Sequence, residues 1–215
     1  MSLRHKEQNA GAKMQLYMSA NSPYARKARV VAHELALHNS VEMIEVNPRN
    51  PSTGFWDINP LAKIPALVTN NGDIIYDSPV ICEYLNEVEG DGHLLSQDIR
   101  ERWRTRTLVA LVDGILDAGM AVRLENMRPE EERSAAWIEK QLATACRGMD
   151  TLEKNVPEFD NKVDLGTIGV ACAIAWLQLR HGDHDWLGKR PQLNDWYEQF
   201  TKRDSFQETL PDQTR

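Results

Sequence analysis

Residues 22–25 read Ser-Pro-Tyr-Ala, directly after the strand-like run MQLYMS and at the mouth of a helix-like run. With cysteine at positions 22 and 25 this turn would be Cys-Pro-Tyr-Cys, the layout of a dithiol redox site, but both thiols are absent. Mixed-disulfide exchange needs a protein thiolate, so a reductase centre is disfavoured here. What remains is the Ser22 hydroxyl ahead of a helix whose free N–H groups and positive end favour an anion. Asn21 and Ser19 stand close enough in sequence to be rival donors. Tyr17 and Tyr24 are phenolic candidates, although Tyr17 lies in the strand and reads as core. Another run, Asp77-Ser78-Pro79, also opens a helix-like segment. His181 and His184 stand three apart with Asp183 and Asp185, a spacing that occurs at metal sites; lacking a further ligand cluster, the run reads as a surface turn. Arg100, Arg102, Arg104 and Arg106 read as a solvated helix face or a dimer contact.

These residues must be positioned by a soluble globular chain. Of 215 residues, 41% are hydrophobic and 27% charged, enough for a core with a polar surface. A formal net charge of -7 argues against nucleic acid or anionic membrane as a bulk electrostatic partner. No apolar run approaches the roughly 18 to 20 residues that span a bilayer. Cys82, Cys146 and Cys172 are widely spaced and odd in number, which predicts buried reduced thiols and a cytoplasmic location. Residues 1–13 are polar and aperiodic and are expected to be a disordered leader without signal-peptide character.

From Met14 to Glu89 the pattern alternates between strand and helix. QLYMS is a strand; Pro23 suits a first helical turn, and Val30, Val31, Leu35 and Ala36 give that helix a buried face. VEMIEV follows as a strand, then an irregular Pro-, Asn- and Gly-punctuated stretch. ALVT and DIIYD flank Asn70-Asn71-Gly72, a hairpin signal. SPVICEYLNEVE then reads as a helix with Ser78 as N-cap. Residues 90–96 look like a linker, and every periodic segment from 97 to 215 is helical. The expected architecture is therefore an α/β unit over 14–89 followed by an all-α unit over 97–215.

Four stretches, SPYARK, NPLAKIPALV, YDSPVICEYL and DLGTIGVACAIAWL, occur in the order and spacing of one family. The chain resembles the cytosolic glutathione S-transferase superfamily, and within it a small bacterial YibF-like branch. That resemblance implies a thioredoxin-like N-terminal domain, an all-helical C-terminal domain, glutathione as co-substrate, no metal, and a homodimer. Two features depart from the family pattern. Ala62 stands where the family has glycine, and Asp164 and Thr167 hold a helix-capping pair in swapped order, which predicts a weaker box.

The resemblance also implies roles. Ser22 is the expected catalytic hydroxyl, stabilising the glutathione thiolate. Pro65 matches the family's cis-proline, and Ile64 beside it would pair its backbone with the cysteinyl amide. Lys63 is a partner for the glycyl carboxylate, with an ordinary exposed lysine as the alternative. Asp77 and Ser78 match the acidic-Ser pair that holds the γ-glutamyl end, with capping alone as the alternative. Asn21, Leu116, Met120 and Arg123 are expected at the pocket of a small electrophile. The leading function is glutathione transfer to that electrophile. A non-catalytic glutathione-binding module, a glutathione-dependent isomerase or peroxidase, and a protein-interaction module stand as alternatives.

Overall fold

The protein is described by a computed structural model covering residues 13–159 and 161–211; the leader expected over 1–13 lies outside these apart from Lys13. Residues 13–93 with 208–211 form one compact unit and Leu94–Gln207 another. The boundary therefore falls within the expected linker, while the segment from Glu208 packs with the first unit instead of continuing the second.

In the first unit, β1 (Met14–Met18), α1 (Pro23–Glu34), β2 (Val41–Glu45), β3 (Ala66–Val68) and β4 (Ile74–Ile75) build a sheet of order β2-β1-β3-β4. Parallel strands need a crossover, and α1 supplies it between β1 and β2. Along β1 the pleat sends Met14, Leu16 and Met18 into the core and leaves Gln15 and Tyr17 half-buried. Ala25, Ala28, Val31 and Ala32 of α1 have no exposed surface. The β3–β4 hairpin forms around the expected Asn-Asn-Gly run, with Gly72 at φ 84°, a value that suits glycine. Thr69 Oγ1 accepts from the Asn71 and Asp73 N–H groups across that turn.

Two expectations change here. The stretch read as irregular contains a 3-10 turn at Pro51–Thr53 and a short helix α2 (Phe55–Ile58), which buries Phe55. Asp77, not Ser78, is the N-cap of α3 (Ser78–Tyr84), since its carboxylate accepts from the Ser78 N–H. Asp at the cap leaves Ser78 as the first helical residue, where its side chain turns inward and is fully buried.

The second unit is helical: α4 (Ile99–Asn126), α5 (Ala135–Phe159), α6 (Leu165–Arg180), α7 (Pro191–Phe200) and α8 (Asp204–Gln207). Helix α6 is buried on nearly every side, as its apolar composition predicts. Helices α4 and α5 approach closely at Gly148, where a Cβ would stand 2.4 Å from Ile115 Cγ1. The acidic run after Pro129 forms a separate 3-10 turn at Glu130–Glu132. Helix α5 starts later because Ser134 Oγ accepts from the Trp137 N–H at 3.3 Å.

The swapped capping pair on α6 is complete, contrary to expectation. Asp164 Oδ1 accepts from the Thr167 N–H at 2.8 Å, and Thr167 Oγ1 accepts from the Asp164 N–H at 2.9 Å. Thr105 Oγ1 on α4 donates to the other carboxylate oxygen at 3.1 Å. A shorter hydroxyl serves as the return arm because Asp164 draws the first turn close.

The expected surface turn at 181–186 is exposed only in its middle. His181 caps α6 and is buried, its Nε2 lying 3.0 Å from the Gly119 carbonyl oxygen. Trp186 Nε1–H donates to the His181 carbonyl at 2.9 Å. Among the described residues no group of His, Cys, Asp or Glu is arranged to hold a metal ion. Cys82 and Cys172 are buried and Cys146 is half-buried, and none of the three is in a disulfide. No helix among the described residues is long and apolar enough to cross a membrane.

Replacing Asp164 by Ala removes a cap shared by two helices. We expect a loss of about 1 to 2 kcal/mol in urea denaturation, with Asp164→Asn recovering most of it. Burial is the largest cause lowering the His181 pKa, so the unfolded chain binds its proton more readily. The associated stability is present above the unfolded value near 6.5 and is lost as pH falls through the lower folded value. Urea midpoints should therefore drop more between pH 7.5 and 5.5 in wild type than in His181→Gln.

Candidate functional site

The strand register brings three loops to one end of the sheet. Tyr17 stands opposite Ala66, so the turn leaving β1 and the segment entering β3 share an edge. Leu67 stands opposite Ile75 in the antiparallel hairpin, so the segment leaving β4 reaches that edge too. Those three segments carry Ser22, Ile64-Pro65 and Asp77-Ser78.

The first loop is a tight turn, closed by Ser22 N–H donating to the Ser19 carbonyl at 3.0 Å. Ser22 has extended backbone angles, φ -82° and ψ 121°, and Pro23 follows as the first residue of α1. Its Oγ accepts from the Ala25 N–H at 3.2 Å. A serine oxygen has two lone pairs and one proton, so this cap leaves the O–H free to donate elsewhere. Glu45, at the end of β2, accepts from the Ala20 N–H of the same turn at 3.1 Å. Asn21 Oδ1 is buried and has no hydrogen-bond partner among the described residues.

The second loop is organised by Asn59, which is buried. Its Nδ2 donates to the Lys63 carbonyl at 2.7 Å, and its Oδ1 accepts from the Leu61 N–H at 3.0 Å. Ala62 donates its N–H to the Asn59 carbonyl at 2.9 Å and takes φ 52°, in the left-handed region. The Ile64–Pro65 peptide bond is cis, as the resemblance implied. Ile64 enters none of the backbone hydrogen bonds formed by the loops of the described residues, while Lys63 is exposed.

At the third loop, Asp77 is exposed beside the fully buried Ser78. Ser78 Oγ has no hydrogen-bond partner among the described residues. An unpaired buried hydroxyl costs free energy, and folded proteins pair nearly all such groups.

Other candidates divide. Tyr17 donates to Gln15 Oε1 at 3.4 Å and its ring lies 5.9 Å from Phe55, consistent with a packing role. Tyr24 carries the Lys27 ammonium 5.6 Å from its ring centroid. On α4, Met120 and Arg123 are half-buried, but Leu116 has no exposed surface and serves the core. Asn59 and Glu45 were not expected at the site. The single signal for Asn59 was its place in Asn-Pro-Leu-Ala-Lys-Ile-Pro, and Glu45 carries none, since only strand pairing brings it to the turn.

Residues 21–88 match the family model described as glutathione S-transferase, N-terminal domain, and residues 133–199 the one described as glutathione S-transferase, C-terminal domain. Over 201 residues the chain is 35% identical to the uncharacterized GST-like protein YibF of Escherichia coli K12, covering 92% of this chain and 98% of that one. The chain belongs to the glutathione S-transferase family. Its fold is the family's, with a thioredoxin-like N-terminal domain and a helical C-terminal domain. A glutathione S-transferase from Methylobacillus flagellatus KT, crystallised with GSH bound, superposes with a TM-score of 0.87 at 38% identity, covering 93% of this chain and 100% of that one. A family member from Pseudomonas fluorescens Pf-5 with bound glutathione gives 0.88 at 36% identity and the same coverage.

Within this family member, Ala62 occupies a left-handed position with a Cβ, which costs about 1 kcal/mol relative to glycine, partly offset by the freer unfolded glycine chain. Ala62→Gly should raise stability by a few tenths to about 1 kcal/mol, read from the urea midpoint. A fall in the midpoint would mean that the loop gains nothing from relief at this residue.

Proposed function

We propose that this transferase binds glutathione through Lys63, Ile64, Pro65, Asp77 and Ser78, and that Ser22 stabilises its thiolate for transfer to a small electrophile. The observation that carries the reading is the Ser22 hydroxyl, which accepts from the Ala25 N–H while keeping its own proton for donation. Glutathione bound in the crystal structures of the Methylobacillus and Pseudomonas relatives supports the ligand.

Only a thiolate is an effective sulfur nucleophile. A free thiol of pKa about 8.5 is roughly 3% ionised at pH 7. Lowering it to about 6.5 ionises about three quarters and requires about 2.7 kcal/mol. One hydrogen bond donated to the anion supplies about 1.5 to 3 kcal/mol. The positive end of α1 adds about 0.3 to 1 kcal/mol, up to about 2 when partly buried. Together they supply about 1.8 to 5 kcal/mol, a range that brackets the requirement.

The other roles follow from the same inventory. Ile64 N–H and C=O, outside the loop's own backbone pairing, suit a cysteinyl amide that adds like a strand. Ser78 Oγ suits the γ-glutamyl carboxylate, which would satisfy a hydroxyl now without a partner. Asp77 accepts from the ammonium of the same end, and Lys63 meets the glycyl carboxylate. Exposed Ile74 on the edge strand, Tyr76 just after it and Val80 in the first turn of α3 support a homodimer.

The deciding experiment is a titration of enzyme-bound glutathione by thiolate absorbance. Wild type should hold the thiol well below its free value, and Ser22→Ala should raise it by about 1 to 2 units. Ser78→Ala should weaken glutathione binding about tenfold in calorimetry while leaving ligand-free stability equal or slightly higher. Tight binding with an unshifted thiol in wild type would instead leave a glutathione-binding module, in which Ser22 is only a helix cap.

A further inference from the structure

A hydroxyl lowers a thiol pKa only if its O–H is held on the sulfur, so whatever fixes the Ser19–Ser22 turn sets how well Ser22 works. The turn's internal bond, Ser22 N–H to the Ser19 carbonyl, closes it but does not fasten it to the sheet. Two bonds do, and both come from the end of β2. Val46 N–H donates to the Met18 carbonyl at 2.9 Å, immediately before the turn. Glu45 Oε2 accepts from the Ala20 N–H at 3.1 Å, inside it. Glu45 itself stands opposite Met18 in the parallel pair, so its backbone is fixed by the sheet.

We propose that Glu45 is a positioning residue for Ser22: its carboxylate ties the turn to β2 and thereby aims the hydroxyl. This rests on the thiolate reading of the site. A carboxylate is the strongest acceptor a side chain offers to an N–H. It also brings a negative charge towards a site that must favour an anion, which is tolerable because Glu45 is exposed and its field is screened by water. The bond therefore matters more than the charge. Glutamine keeps the acceptor oxygen without the charge, and alanine removes both.

The test uses the full chain with saturating glutathione, reading the bound thiol pKa by absorbance and the glutathione Kd by calorimetry. Glu45→Ala should raise the bound thiol pKa by about 0.5 to 1 unit, cutting thiolate at pH 6.5 by about two- to fivefold, with Kd changed less than about twofold. Glu45→Gln should stay within about 0.2 units of wild type. The proposal is overturned if Glu45→Ala titrates like wild type, if Glu45→Gln rises as far as Glu45→Ala, or if Kd weakens more than about tenfold. A wild-type thiol that is itself unshifted sinks the Ser22 reading and Glu45 with it. A shifted wild type with an indifferent Glu45→Ala sinks Glu45 alone.

Discussion

The pairing of β1 with β3 is the constraint on which the candidate site depends. With Tyr17 opposite Ala66 and Leu67 opposite Ile75, the exits of β1 and β4 and the entrance to β3 meet at one edge. Strand side chains alternate in direction, so a slip of one residue would part Leu16 from Leu67, which stand opposite each other and are fully buried. Apolar burial thus sets the register, and the register sets which polar loops become neighbours. The site has no separate framework of its own. Its geometry is a consequence of where the core insists that the strands pair.

That core leaves polar groups unsatisfied at the same edge. Ser78 Oγ and Asn21 Oδ1 are buried without partners among the described residues, although folded proteins pair nearly all such atoms. Each unpaired atom costs about 1 to 3 kcal/mol, a large fraction of the margin by which a domain is stable. Ser22 shows the opposite economy, since its cap bond to Ala25 N–H stabilises α1 and orients the hydroxyl in one contact. Departures from local satisfaction are expected where a ligand completes the arrangement. On the proposed function, a ligand carboxylate at Ser78 would recover part of that cost.

Much of this was legible in the sequence because it is local. Pro23 after Ser22, Asn-Asn-Gly between apolar runs, and the uniformly apolar 165–177 segment each carry their own physical signal, and each forms the element it predicts. What escaped was decided by competition or by distance. Asp77 and Ser78 are both good caps, and adjacency gave no way to rank them; the structure selects Asp77 and turns Ser78 inward. Thr167 looked a poor return arm because side-chain length was weighed without the tight first turn that Asp164 imposes. Leu116 on α4 is fully buried, and helical spacing alone does not reveal which face of a helix its neighbours cover. Glu45 and Ala20 lie 25 residues apart, and only the β1–β2 pairing joins them.

The missing thiols then acquire a physical meaning. A Cys-Pro-Tyr-Cys turn on this scaffold would place its own sulfur at the positive end of α1 and exchange disulfides through it. With Ser22 and Ala25 there, the turn has no sulfur of its own, so on the proposed function the thiol arrives with the ligand. The hydroxyl can donate to a thiolate but cannot form a mixed disulfide with it, nor climb the oxidation ladder of cysteine. On the proposed function, chemistry at this edge is what a ligand thiolate does as a nucleophile, and residue 22 would undergo no covalent change. On that reading, oxygen in place of sulfur at residue 22 would change the reaction class while leaving the strand, the turn and the helix as they are.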